Sequence, residues 1–87
     1  MKILAVCGSG LGSSLMLSMN VQDVLKALGR TDVEVEHTDF SSAAGVNADY
    51  IVCGRDIADA MGDKSKVIVL DSILSKQELK EKLEAIL

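Results

Sequence analysis

Residues 1–17 read MKILAVCGSGLGSSLML, and this stretch decides the fold. A short apolar run from Ile3 to Val6 predicts a buried strand. It leads straight into Cys7 and a loop with glycine at positions 8, 10 and 12. From Ser13 onward the apolar residues recur at helical spacing. Strand, glycine-rich turn and helix is the layout in which backbone N–H groups gather around an anion at a helix N-terminus. A cysteine at the head of such a loop sits where the same dipoles favour its thiolate. The stretch therefore predicts a nucleophilic Cys7 in a phosphate cradle formed by Gly8, Ser9, Gly10, Leu11, Gly12, Ser13 and Ser14. The plainer alternative is a tight turn that uses glycine for backbone freedom and holds Cys7 as a small buried hydrophobe.

Two other glycine-rich loops fit poorly. A dinucleotide fingerprint needs G-x-G-x-x-G, whereas the glycines here run G-x-G-x-G with Ser at position 13. A Walker A loop ends in Gly-Lys-Ser/Thr, and the first lysine after Lys2 is Lys26.

Outward from that stretch, 87 residues imply one domain, 1–87. Apolar residues at 48% with few aromatics suit an aliphatic core. Two cysteines far apart give neither a disulfide framework nor a zinc site, and no cofactor is expected. Lys2 and the four apolar residues after it are too short for a signal peptide, and no apolar run approaches a membrane span. The expectation is a cytoplasmic protein, not itself membrane-spanning, whose Cys7 is kept reduced. A net charge of −4 argues against a nucleic-acid surface, which needs clustered Lys and Arg.

Leu17, Val21, Val24, Leu25 and Leu28 form one apolar stripe of a helix that Gly29 ends. Leu15 and Met19 fall on the opposite side, beside the loop. They are either scattered exposed residues or, with Leu11, a docking patch next to the thiol. Asp32 to Asp39 alternates as a half-exposed strand does, which suits a sheet edge. Residues 40–48 predict a loop or short helical turn, and Tyr50 to Cys53 a buried strand. A short helix around Ile57 to Met61 follows, then a strand from Val67 to Leu70. Ser75-Lys76-Gln77-Glu78 matches a capping box ahead of a final helix carrying Leu79, Leu83, Ile86 and Leu87.

Strands alternating with helices call for a parallel sheet with helices on both faces. Right-handed crossovers and an edge second strand favour the order 2-1-3-4, a flavodoxin-like three-layer α/β sandwich. Ligands of such sheets collect at the carboxyl ends of the strands. The segments expected there are Cys7 to Ser13, His37 to Asp39, Cys53 to Asp56, and Asp71 to Ser72. Arg55 either lends charge to a phosphoryl group or pairs with Asp56 or Asp59. Cys53 reads as core, with a Cys7–Cys53 redox pair as the alternative. His37 is the only histidine, and nothing beside it resembles a phosphate loop.

The loop is similar to that of low-molecular-weight tyrosine phosphatases and related arsenate reductases, which carry Cys, five residues, Arg, then Ser. Ser13 stands where their Arg belongs, and Ser14 matches the serine. Asp71 follows the fourth strand, where phosphatases place a general acid; turn chemistry is its other reading. Arg clamps phosphoryl oxygens bidentately, so its absence points to transfer rather than hydrolysis. A non-catalytic flavodoxin-like binding module is the remaining alternative.

Residues 2 to about 17, with the run from Ile3 to Met16, most resemble the IIB components of bacterial phosphoenolpyruvate-dependent sugar phosphotransferase systems, in the ascorbate-type branch and its galactitol-type relatives. Over the rest, Ala48-Asp49-Tyr50-Ile51-Val52 and the final helix carry an architectural likeness. The resemblance implies a phosphocarrier whose strand-end cysteine, here Cys7, accepts a phosphoryl group from a phosphohistidine on the IIA component. The group then passes to a sugar held in the membrane IIC component. Gly8 to Ser14 carry over as the phosphate loop.

Overall fold

The computed structural model of the chain describes residues 1–7, 11–43, 45–60, 65–73 and 75–87, with residues 11–13 described by their backbone alone. Four strands, β1 (Lys2–Cys7), β2 (Glu34–Asp39), β3 (Tyr50–Gly54) and β4 (Val67–Leu70), form one parallel sheet. Their spatial order is β2-β1-β3-β4. Parallel neighbours need crossover connections, and each connection carries a helix: α1 (Leu11–Ala27), α2 (Phe40–Ala43) and α3 (Arg55–Ala60), with α4 (Lys76–Ile86) after β4. The expected architecture and strand order are both present.

Side-chain alternation along the strands divides the core in two. On one face Ile3, Ala5, Val52, Ile68 and Leu70 pack against Leu17, Val21, Val24 and Leu25 of α1 and Leu79 and Leu83 of α4. On the other, Leu4, Val6 and Cys53 meet Ala43, Ala48, Ile57 and Ala58. Each fully buried aliphatic side chain contributes about 1.5–3 kcal/mol. The second face is covered thinly, because α2 and α3 are only four and six residues long. Ile51, Val67 and Val69 there remain partly exposed. Ile51 is accordingly less buried than an apolar central strand predicts, and Tyr50, packed against the opposite face, is also only partly buried.

Local signals explain the element ends. Gly29 adopts φ +73°, and the amides of Gly29 and Arg30 donate to the carbonyls of Lys26 and Leu25 at 3.0 and 2.8 Å. That pair of bonds is a Schellman closure, which only glycine adopts without strain. Ser75 caps α4 by accepting from the Glu78 amide at 3.2 Å. The Glu78 side chain does not complete the capping box. It turns back to accept from the amides of Asp71 and Ser72 at 2.8 and 3.0 Å, tying α4 to the turn after β4. At the β2 edge, Val33 and Val35 pack inward, while Glu34 and Glu36 face out near Lys2. α1 begins at Leu11, two residues before the expected start, so Leu11, Gly12, Ser13 and Ser14 lie in its first turn rather than in a loop. The predicted helix around Ile57 is α3, and Met61 lies outside the described residues.

Candidate active site

All four strands point the same way, so their carboxyl ends share one rim. Cys7 ends β1 level with Asp39, which ends β2. Gly54 ends β3 level with Leu70, the last residue of β4. Cys7, Asp39, Gly54 to Asp56 and Asp71 are brought together at this rim, as the topology predicts. Gly8, Ser9 and Gly10 lie outside the described residues. The backbone of Leu11, Gly12 and Ser13 resumes as the first turn of the 17-residue α1, four positions beyond the thiol. The first four N–H groups of a helix have no intrahelical acceptor, and the dipole gives that end positive character. Ser14 in that turn is fully buried, its Oγ 3.5 Å from Nδ1 of His37 on β2. His37 thus meets the loop–helix junction rather than standing apart from it.

The thiol departs from expectation. Cys7 is only 7% exposed. Burial pushes its pKa up, and the carboxylate of Asp56 pushes in the same direction. The direction is opposite to the lowered thiol expected, because desolvation and a negative neighbour both favour the neutral form. Cys53 is fully buried under α3, and burial, then Asp56, then Cys7 push its thiol up to about 11. Both cysteines are free.

Around the thiol the charges are paired. Arg55 forms its ion pair with Asp71, across the rim, and not with Asp56 or Asp59. Asp56 and Asp59 share its own short helix, but Asp71 lies at the end of the adjoining strand, where the arginine side chain reaches it. Hydrogen bonds from Ser42 and Ser41 hold the Asp39 carboxyl below its ordinary range, so this group is committed to the first turn of α2. Glu78 is likewise held low by the Asp71 and Ser72 amides.

Leu15 and Met19 face outward on α1, 46% and 54% exposed, as the helical wheel predicts. Met16, 53% exposed, joins them. Sequence reading missed it, although it adjoins Leu15 on the same turn. The Leu11 side chain is outside what the structure describes. Among the described residues no His, Cys, Asp or Glu cluster could hold a metal, and no helix is long and apolar enough to cross a membrane.

A buried strand-end cysteine ahead of a long helix, in a 2-1-3-4 parallel sheet, defines a phosphatase-shaped α/β domain of the flavodoxin type. The solution structure of a low molecular weight protein tyrosine phosphatase from Bacillus subtilis shares that fold, with a TM-score of 0.57 at 18% identity. The match covers 99% of this chain and 94% of that one. Within this class the chain belongs to the IIB subunit family of the sugar phosphotransferase system described as lactose/cellobiose specific, whose model matches residues 2–85. It is also 27% identical over 89 residues to the ascorbate-specific phosphotransferase-system EIIB component of Mycoplasma pneumoniae (strain ATCC 29342 / M129 / Subtype 1). That alignment covers 98% of this chain and 93% of the relative. The protein is a sugar phosphotransferase-system component of the phosphocarrier type.

Proposed function

We propose that Cys7 carries the phosphoryl group. The observation that supports this most is its place: the last residue of a central strand, four positions before the N-terminus of the chain's longest described helix. A thiol there can attack phosphorus while first-turn amides meet the non-bridging oxygens. Gly8, Ser9, Gly10, Leu11, Gly12, Ser13 and Ser14 make up the cradle in this reading. The donor is a phosphohistidine on a IIA component, and the acceptor is a sugar held by a membrane IIC component. The sugar is of the ascorbate or galactitol type, ascorbate being the specificity in the name of the Mycoplasma relative. Exchange takes place in the cytoplasm. Leu15 and Met19, with Met16, offer an apolar surface on which a donor can dock beside the thiol, and Leu11 is assigned to the same docking patch in this reading.

Transfer is favoured over hydrolysis by what stands at position 13. Serine there supplies no cation for the charge that develops when water attacks a phosphocysteine. Arg55, the cation on the neighbouring segment, is engaged with Asp71. A phosphocysteine so placed survives until its acceptor arrives.

The test is to incubate the protein with phosphoenolpyruvate, the general phosphotransferase proteins and a cognate A component. Intact mass should show one added phosphoryl group in the native chain and none in Cys7→Ser. Rapid turnover of an aryl phosphate by the native chain would instead make it a phosphatase.

A further inference from the structure

The carboxylate of Asp56 has a place at the rim but no role in the reading above. β3 passes into α3 without a loop, Gly54 closing the strand and Arg55 opening the helix. Asp56 thus stands in the first turn of α3, and its side chain folds back over the strand end. A methyl group built on Gly54 would lie 3.1 Å from Asp56 Oδ1. β1 and β3 are parallel neighbours with Ala5 level with Val52, and Cys7 and Gly54 are their last residues. Cys7, Cys53 and Asp56 are thereby clustered where the two strands end.

Among the described residues, other charged or titratable groups at the strand ends are engaged elsewhere. Asp39, level with Cys7 on β2, is bound by the Ser42 amide and the Ser41 hydroxyl. His37 on the same strand meets Ser14 of α1. Arg55 is the one Lys or Arg in the strand-end segments 37–42, 53–56 and 71–73, and it is paired with Asp71. The charge left near both thiols is negative, and it opposes the ionisation of each.

We infer that Asp56 is a positioning residue for phosphoryl exchange, acting through Cys7: its carboxylate, held over Gly54 at the end of the neighbouring strand, repels the phosphoryl group carried on sulfur and favours its onward transfer. This rests on Cys7 being the carrier. On arrival, the S–H bond breaks as S–P forms, the N–P bond of the donor breaks, and the proton ends on the departing imidazole nitrogen. On departure, S–P breaks as O–P forms, and the proton of the sugar hydroxyl returns to sulfur. The sulfur begins and ends each cycle as a thiol. Repulsion between a carboxylate and a phosphoryl dianion raises the free energy of the loaded state, which favours passing the group to a neutral hydroxyl.

The experiment compares the native chain with Asp56→Asn and Asp56→Glu. The rate of Cys7 alkylation by iodoacetamide is followed against pH by peptide mass. Removing a negative charge near the thiol favours its ionised form, so Asp56→Asn should alkylate faster at neutral pH, its profile displaced to lower pH. Asp56→Glu should keep the native profile. Asp56 is exposed, so neither variant should disturb the fold. A measurement without mutation supplements them. At about 1 M salt, where screening acts within roughly 3 Å, the native profile should move toward that of Asp56→Asn. With a phosphorylated A component, the loaded fraction of Asp56→Asn should rise and its onward transfer slow. Superimposable alkylation profiles would overturn the inference even if Cys7 takes up the phosphoryl group. A displaced profile in a chain that never becomes phosphorylated would uphold the charge coupling and overturn the carrier reading of Cys7 instead.

Discussion

Cys7 ends β1, and Cys53 stands one residue before the end of the neighbouring parallel strand β3, both buried and both free, yet they open onto different surroundings. Cys7 gives way to a glycine-containing stretch and the 17-residue α1. Cys53 is followed by Gly54 and a six-residue helix, and it packs with Leu4, Val6 and Ile57 in the thinner half of the core. The comparison teaches that a strand end alone does not make a reactive thiol. Burial raises the pKa of both, most plainly that of Cys53, at about 11. What distinguishes Cys7 is partial access and a long helix with unsatisfied amides ahead of it.

The largest effect that tests this contrast is on phosphoryl uptake. Cys7→Ser should abolish it, because a serine hydroxyl at neutral pH is a far weaker nucleophile than the cysteine it replaces. Cys53→Ala should retain it. Phosphorylation of Cys7→Ser, or its loss in Cys53→Ala with the fold intact, would exchange the roles of the two residues. A smaller effect concerns bare reactivity. Iodoacetamide at pH 8 should modify Cys7 faster than Cys53, since burial pushes the Cys53 thiol up to about 11 and Cys53 is fully buried while Cys7 keeps some access to solvent. Peptide mapping measures both rates in one sample, and faster labelling of Cys53 would contradict the assignment.

Next in size is docking, on the Cys7 side alone. Replacing Leu15 and Met19 with Lys should slow phosphoryl arrival by about tenfold, the equivalent of roughly 1.4 kcal/mol of contact with the donor. Both side chains are exposed and outside the core stripe, so thermal stability should hold. Unchanged transfer rates would show the patch to be incidental to the donor.

Much of the frame was legible because its signals are local. The Ile3 to Val6 run, the alternation at Val33 and Val35, Gly29 and Ser75 each carry their cause within a few residues. Strand order followed from handedness and the half-polar second strand. Long-range partners were not legible. Glu78 reads as half of a capping box, yet its carboxylate serves the turn after β4. Arg55 has acidic neighbours in sequence, but its partner Asp71 arrives from the adjoining strand. The direction of the Cys7 titration depended on burial and on Asp56 folding back over Gly54, neither of which spacing reveals. The start of α1 was missed because Gly12 looks like a loop residue and is helical.

A further effect falls on stability and belongs mainly to Cys53. Its thiol titrates at about 11 in the folded chain, against roughly 8.5 for an unperturbed cysteine in the unfolded one. The folded state therefore binds this proton more tightly. Below about pH 8.5 both states hold it and the full stabilisation is present. As pH rises from there toward 11 the unfolded chain releases its proton first, so stability declines through that window. Cys7, also raised, adds a decline of the same sign. Cys53→Ala removes the titrating group at the cost of a small cavity beside Val6 and Ile57, so it should be less stable at neutral pH yet lose less between pH 8 and 10.5. Thermal melts of the native chain, Cys53→Ala and Cys7→Ser across that range separate the two contributions. The slope should flatten more in Cys53→Ala than in Cys7→Ser. Equal slopes in all three would mean that neither thiol differs between folded and unfolded states, and the contrast drawn from their burial would fail.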